Sequence, residues 1–106
     1  MSMMNTARRS RDRGVGRVIG DVADVFGVEV SHIKAKTRGV YAVSDARFAV
    51  YKILYSSGMT LHQIGRILKR DHGAVLHGIR KFDERRHIEK KFAAKVSELQ
   101  RIGYEV

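Results

Sequence analysis

Apolar residues recur along this chain three and four apart, the spacing of helices, and no segment alternates as a half-buried strand would. Val18, Ile19, Val22, Val25 and Phe26 make one stripe, and Gly27 follows where that helix should stop. Ser31 is placed to cap a short second helix containing Ile33. Residues 36–43, Lys-Thr-Arg-Gly-Val-Tyr-Ala-Val, break the pattern and read as a loop. Ser44 then predicts the cap of a third helix, with Ala46, Ala49, Val50, Ile53 and Leu54 inward and Gly58 ending it. Leu61, Ile64, Ile67 and Leu68 mark a fourth helix, and Val75, Leu76, Ile79 and Phe82 a fifth. Ile88, Phe92, Val96, Leu99 and Ile102 form the stripe of a last helix ending at Gly103. Six helices without a strand predict an all-α bundle. Residues 1–13 stay outside this pattern; they are polar and Arg-rich and read as a flexible basic arm ahead of one domain, residues 14–106.

Residues 59–82 carry the sharpest local pattern. Thr60-Leu61-His62-Gln63 fits a capping box, in which a hydroxyl accepts from the third amide and the Gln side chain reaches back. The helix it opens is about eight residues long, Lys69-Arg70 turn the chain, and Asp71 caps the next helix. A short capped helix, a tight turn and a second capped helix describe a helix-turn-helix. At about 100° per residue, Val75, Ile79 and Phe82 share one side of the fifth helix. Gly73, His77, Arg80, Lys81 and Glu84 share the other, a face small at its start and cationic further along. A major groove admits such a helix start-first, and the amides there favour phosphate. Each residue also has a plainer role. Asp71 serves as a cap whatever else it does, His72 and His77 could be ordinary exposed histidines, and Arg80 and Lys81 a solvated face.

Charge tips this balance. The chain of 106 residues has 21 Lys and Arg against 11 Asp and Glu, a net charge of +10, as polyanion binders have. It has no Cys, so neither a disulfide nor a thiolate metal site is expected. No apolar run approaches the roughly 20 residues of a membrane span. The opening Met-Ser-Met-Met-Asn-Thr-Ala-Arg-Arg lacks the apolar stretch of a signal peptide, so a cytoplasmic, nucleoid-associated location is expected, with no membrane partner.

Ile64-Gly65-Arg66 followed by Arg70-Asp71-His72-Gly73-Ala74-Val75-Leu76-His77-Gly78-Ile79-Arg80-Lys81 resembles the signature of the C-terminal domain (domain IV) of the bacterial replication initiator DnaA. That family typically reads Ile-Gly, then Arg-Asp-His-Thr-Thr-Val-x-His-Ala, then a basic pair. The resemblance runs from about Val18 to Leu99 and is strongest over 64–81. It implies a Trp-repressor-like helical fold and binding to double-stranded DNA. It places Asp71, His72 and His77 against bases, with Gly73 and Ala74 between them at the probing end of the helix. A carboxylate can accept from a cytosine amine, and an imidazole can pack on a thymine methyl. The family's basic loop before the third helix sends an Arg into the minor groove; Arg38, with Lys34 and Lys36, lies in that stretch. Arg47 and Lys52 are then expected at phosphates, together with Arg70, Arg80 and Lys81. Two departures bear on which sequence is bound: Gly73-Ala74 replaces Thr-Thr, and the loop carries one Arg rather than several.

The initiator's ATPase module has no counterpart, for no Gly-x-x-x-x-Gly-Lys-[Ser/Thr] occurs, and the lone cluster Gly14-x-Gly16-x-x-x-Gly20 follows no strand. No cofactor or metal is expected. An enzyme is disfavoured: His72 and His77 are five apart, Asp83 and Glu84 point about 100° apart, and no His-Glu-x-x-His occurs. The expectation is sequence-specific duplex binding at initiator-type boxes, in replication initiation or its regulation. A transcriptional regulator using the same module, or a protein-interaction module acting on the initiator, stays open.

Overall fold

The computed structural model describes residues 6–35 and 41–106, with the backbone alone over 6–13. Its described residues form six helices and no strand. They are α1 (Thr6–Phe26), α2 (Val30–Lys34), α3 (Tyr41–Ser56), α4 (Leu61–Leu68), α5 (His72–Ile88) and α6 (Lys90–Arg101). The helical backbone of α1 begins within the stretch read as an arm and is interrupted at Gly14 (φ 80°, ψ 165°), where the apolar stripe takes over.

One core joins every element. Val18, Ile19, Val22 and Phe26 of α1, Ile33 of α2, Ala46, Val50 and Ile53 of α3, Ile64 and Leu68 of α4, Val75, Ile79 and Phe82 of α5, and Phe92, Val96 and Leu99 of α6 are all buried in it. Phe92 stands edge-on to both Phe26 (5.8 Å) and Phe82 (5.3 Å), so one ring ladder ties α1, α6 and α5. The long α3 packs on α1 and on α5, and α4 lies against α5. Gly78 permits the α3–α5 contact, because a Cβ there would stand 2.6 Å from Tyr51 Cδ2 and 2.8 Å from Phe48 Cδ1.

Three helices stop with the same hydrogen bond. Val28 N donates to Ala23 O, Met59 N to Leu54 O and Tyr104 N to Leu99 O, each at 3.0–3.1 Å. These are the six-to-one bonds of the Schellman motif, which caps otherwise orphaned carbonyls and turns the following side chain back onto the helix. Gly103 (φ 114°) makes that turn for α6, and Tyr104 folds back to 2% exposure with its hydroxyl on Asp21.

Several boundaries differ from the sequence expectation. α2 begins two residues early, with Glu29 as a cap that forms no side-chain bond, so Ser31 lies inside the helix. Residues 41–43 of the expected loop belong to α3, with Ser44 in its first described turn, and 36–40 lie outside the described residues. Not all the apolar positions that mark α4 and α5 are buried: Ile67 is 40% exposed and Leu76 only half-buried. Ile88 does not open the last helix. It closes α5, 72% exposed, because the chain leaves helical geometry at Glu89 (φ −114°, ψ 112°). No Gly or Pro marks that break, and the four-residue step from Ile88 to Phe92 looks the same with or without it.

Candidate nucleic-acid interface

The residues of the α4–turn–α5 unit are held by their own local chemistry. Gln63 N donates to Thr60 Oγ1 at 3.1 Å and Thr60 N to Gln63 Oε1 at 2.8 Å, completing the capping box. Lys69 closes α4 in the left-handed region (φ 56°), and Arg70 N donates to Gly65 O at 2.8 Å. Only glycine fits at 65, since a Cβ would collide with the Arg70 carbonyl oxygen. Asp71 caps α5 by accepting from Gly73 N at 3.0 Å. A single chain of caps therefore sets where the first turn of α5 begins.

That turn is open. Asp71, His72, Gly73, Ala74, His77 and Arg80 are all exposed, while Val75, Gly78, Ile79 and Phe82 are buried behind them. The structure thus brings the five expected base-reading residues onto one exposed helix start. His77 leans edge-on against Phe48 of α3, ring centres 6.4 Å apart. His72 lies face to face with His62 of α4, centres 4.2 Å apart and planes 25° apart. His62 was not among the expected site residues. Its place in the first turn of α4 is readable, but nothing in the sequence sets it opposite His72.

The expected cations divide. Lys34, at the end of α2, and Arg80 are exposed, and so are Arg66 and Lys69 of the α4 end. Lys81 is bridged to Glu84 at 3.3 Å, and Lys52 to Asp83 at 2.9 Å. Lys36 and Arg38 lie outside the described residues. Arg47 is turned inward rather than toward solvent. It is 7% exposed; Nε donates to Ile33 O at 3.0 Å, and Nη2 to His32 O at 2.7 Å and Ala35 O at 3.0 Å. Burial, then the Arg70 charge, pushes its guanidinium down from the ordinary value. Arg70 reaches the same place, its Nη2 donating to Ala35 O at 2.7 Å. Tyr51 completes this cluster, and burial raises its hydroxyl above the ordinary value against the pull of Arg70 and Arg47. The last turn of α2, where the 36–40 segment begins, is thereby tied to α3 and to the helix-turn-helix. The sequence hid this because backbone carbonyls 12–15 residues away make no motif.

Among the described residues no group of three or more His, Asp or Glu is placed to hold a metal ion. No helix among them is long and apolar enough to cross a membrane. The family model described as the bacterial DnaA protein helix-turn-helix matches residues 15–82. The chain belongs to that family. As a DnaA helix-turn-helix domain it is a double-stranded-DNA-binding module of replication initiation, and the family is not an enzyme class. The DnaA match closes at Phe82, inside α5, so residues 83–88 of α5 and all of α6 extend past it. No curated protein matches the chain.

Proposed function

We propose that this domain binds duplex DNA sequence-specifically, with the start of α5 in the major groove. The observation that carries the reading is the exposed first turn of α5, with Asp71, His72, Gly73, Ala74 and His77 on the open side of a fully capped helix-turn-helix. Asp71 and the two imidazoles read base edges, and Gly73 and Ala74 let the helix start approach closely. Lys34 and Arg80 meet phosphates, Lys81 joins them only by exchanging Glu84 for a phosphate, and Lys36 and Arg38 extend toward the adjacent minor groove. Arg70 and Arg47 act through the root of that segment, and Lys52 through its bridge to Asp83. The targets are boxes of the initiator type, and the role is in replication initiation or its regulation, at the nucleoid.

Selection of bound sequences from a random duplex pool tests this. One enriched motif, lost in the variant His77→Ala, is the expected result. That loss should be about 1–3 kcal/mol on the selected site and little on random DNA. Equal loss on both would remove base reading from His77. A pool without an enriched motif would remove sequence specificity.

A further inference from the structure

His62 and His72 come from different helices, yet their rings stack at 4.2 Å and 25°. Both residues are exposed, so the stack does not belong to the core. Each ring is also anchored from behind. His62 is the second residue of α4, and the Thr60–Gln63 capping box fixes that turn. His72 is the first residue of α5, and Asp71 caps that turn through Gly73 N. An exposed side chain at a helix start would ordinarily sample several rotamers, each lost when it docks against a base. A flat ring covering one face of the imidazole removes much of that freedom beforehand.

We propose that His62 is a positioning residue for DNA recognition: it stacks on His72 and presets its imidazole at the mouth of the groove. This rests on the placement of His72 at a base, stated above. The order of action is local. The capping box places His62, His62 holds His72, and His72 meets the DNA. His62 contributes through the face of its ring, so any flat aromatic side chain there should serve, whereas an aliphatic or short one should not.

The experiment measures affinity for the selected duplex and for a scrambled duplex of equal length, by fluorescence anisotropy. The proteins are the wild-type chain and the variants H62A, H62Q, H62F, H72A and H62A/H72A. H62A and H62Q should lose about two- to tenfold in selectivity, the range an aromatic pair supplies. H62F should retain it. In the H72A background, H62A should change nothing further. Thermal unfolding should be the same in all the single variants, because neither ring is buried. In the free protein, the ring-current shift of the His72 protons should persist in H62F and vanish in H62A and H62Q.

Full selectivity in both H62A and H62Q would overturn the proposal, as would a loss in H62F matching theirs. An equal loss from H62A with and without His72 would overturn it too, since His62 would then act on DNA directly. If H72A itself keeps full selectivity, the base-reading role of His72 fails and the positioning role with it. A loss in H72A without one in H62A removes the positioning role alone.

Discussion

Two guanidinium groups share the carbonyl of Ala35, and the division of labour among the cations follows from that contact. Arg47 satisfies the Ile33 carbonyl that the five-residue α2 leaves without an amide of its own, and adds a second donor to His32 O. Ala35 N and Arg70 also donate to His32 O and Ala35 O, so replacing Arg47 by Ala would leave the buried Ile33 O unmet, and Arg47→Ala should lower stability in urea unfolding by roughly 1–3 kcal/mol. A residue that only met phosphate would instead leave stability unchanged and weaken DNA binding, so the pair of measurements separates the two roles. Asp45 presents the opposite balance. It bridges to Arg85, yet burial outweighs that attraction and holds its carboxyl above the ordinary 3.8. Around that raised value the folded chain keeps a proton that the unfolded chain releases. The stability this group supplies is therefore present at low pH and lost as pH rises through the folded value. The unfolding free energy of wild type minus that of Asp45→Asn should fall as pH is raised from 3.8 toward neutrality. A difference curve that rises over that window would show that Arg85 dominates instead.

Among the elements, α4 and α5 were the most legible from sequence and the junctions around α2, α3 and α6 the least. Thr60, Gln63 and Asp71 act through hydrogen bonds to residues two or three positions away, so residue type and spacing nearly define them. Ser31 and Ser44 had the right type but lost to tertiary packing: Ile33 and Val43 are buried with their helices begun earlier. The exposed face at the start of α5 was readable from helical periodicity. The inward Arg47 and the His62–His72 stack were not, since both depend on how separate helices meet. The element scale also sets a test for Gly73-Ala74. A Cβ at residue 73 would stand 3.3 Å from Asp71 Oδ1, so the capping carboxylate must shift by a few tenths of an ångström. Gly73→Thr with Ala74→Thr should therefore lower stability by up to about 1 kcal/mol, through the weakened cap. On DNA the added hydroxyls and methyls should sharpen discrimination against single-base variants of the family's box by about 1–3 kcal/mol. Competition titrations of both proteins decide it. Equal discrimination by wild type and the double variant would mean that α5 meets the groove in another register.

For the whole molecule, the net charge of +10 matters less than where the charge is left available. Arg85, Lys81, Lys52 and Arg101 are each bridged to an acid, and such pairs offer less to a polyanion. Lys34, Arg66, Lys69 and Arg80 are exposed around the helix-turn-helix, and Lys36 and Arg38 follow α2 in sequence. If these residues make about six phosphate contacts, log affinity should fall with log salt at a slope near −5, about a thousandfold between 50 and 200 mM. The distribution adds a stricter expectation than the total. Arg80→Ala should reduce the slope by about one unit on specific and random duplexes alike. Arg101→Ala removes the same formal charge from the end of α6, in a residue already bridged to Glu98, and should leave the slope nearly unchanged. Filter-binding titrations across that salt range measure both. If the two variants shift the slope equally, the DNA responds to net charge rather than to a localised face. The phosphate contacts assigned beside α5 would then have to be given up, even though the chain still bound DNA.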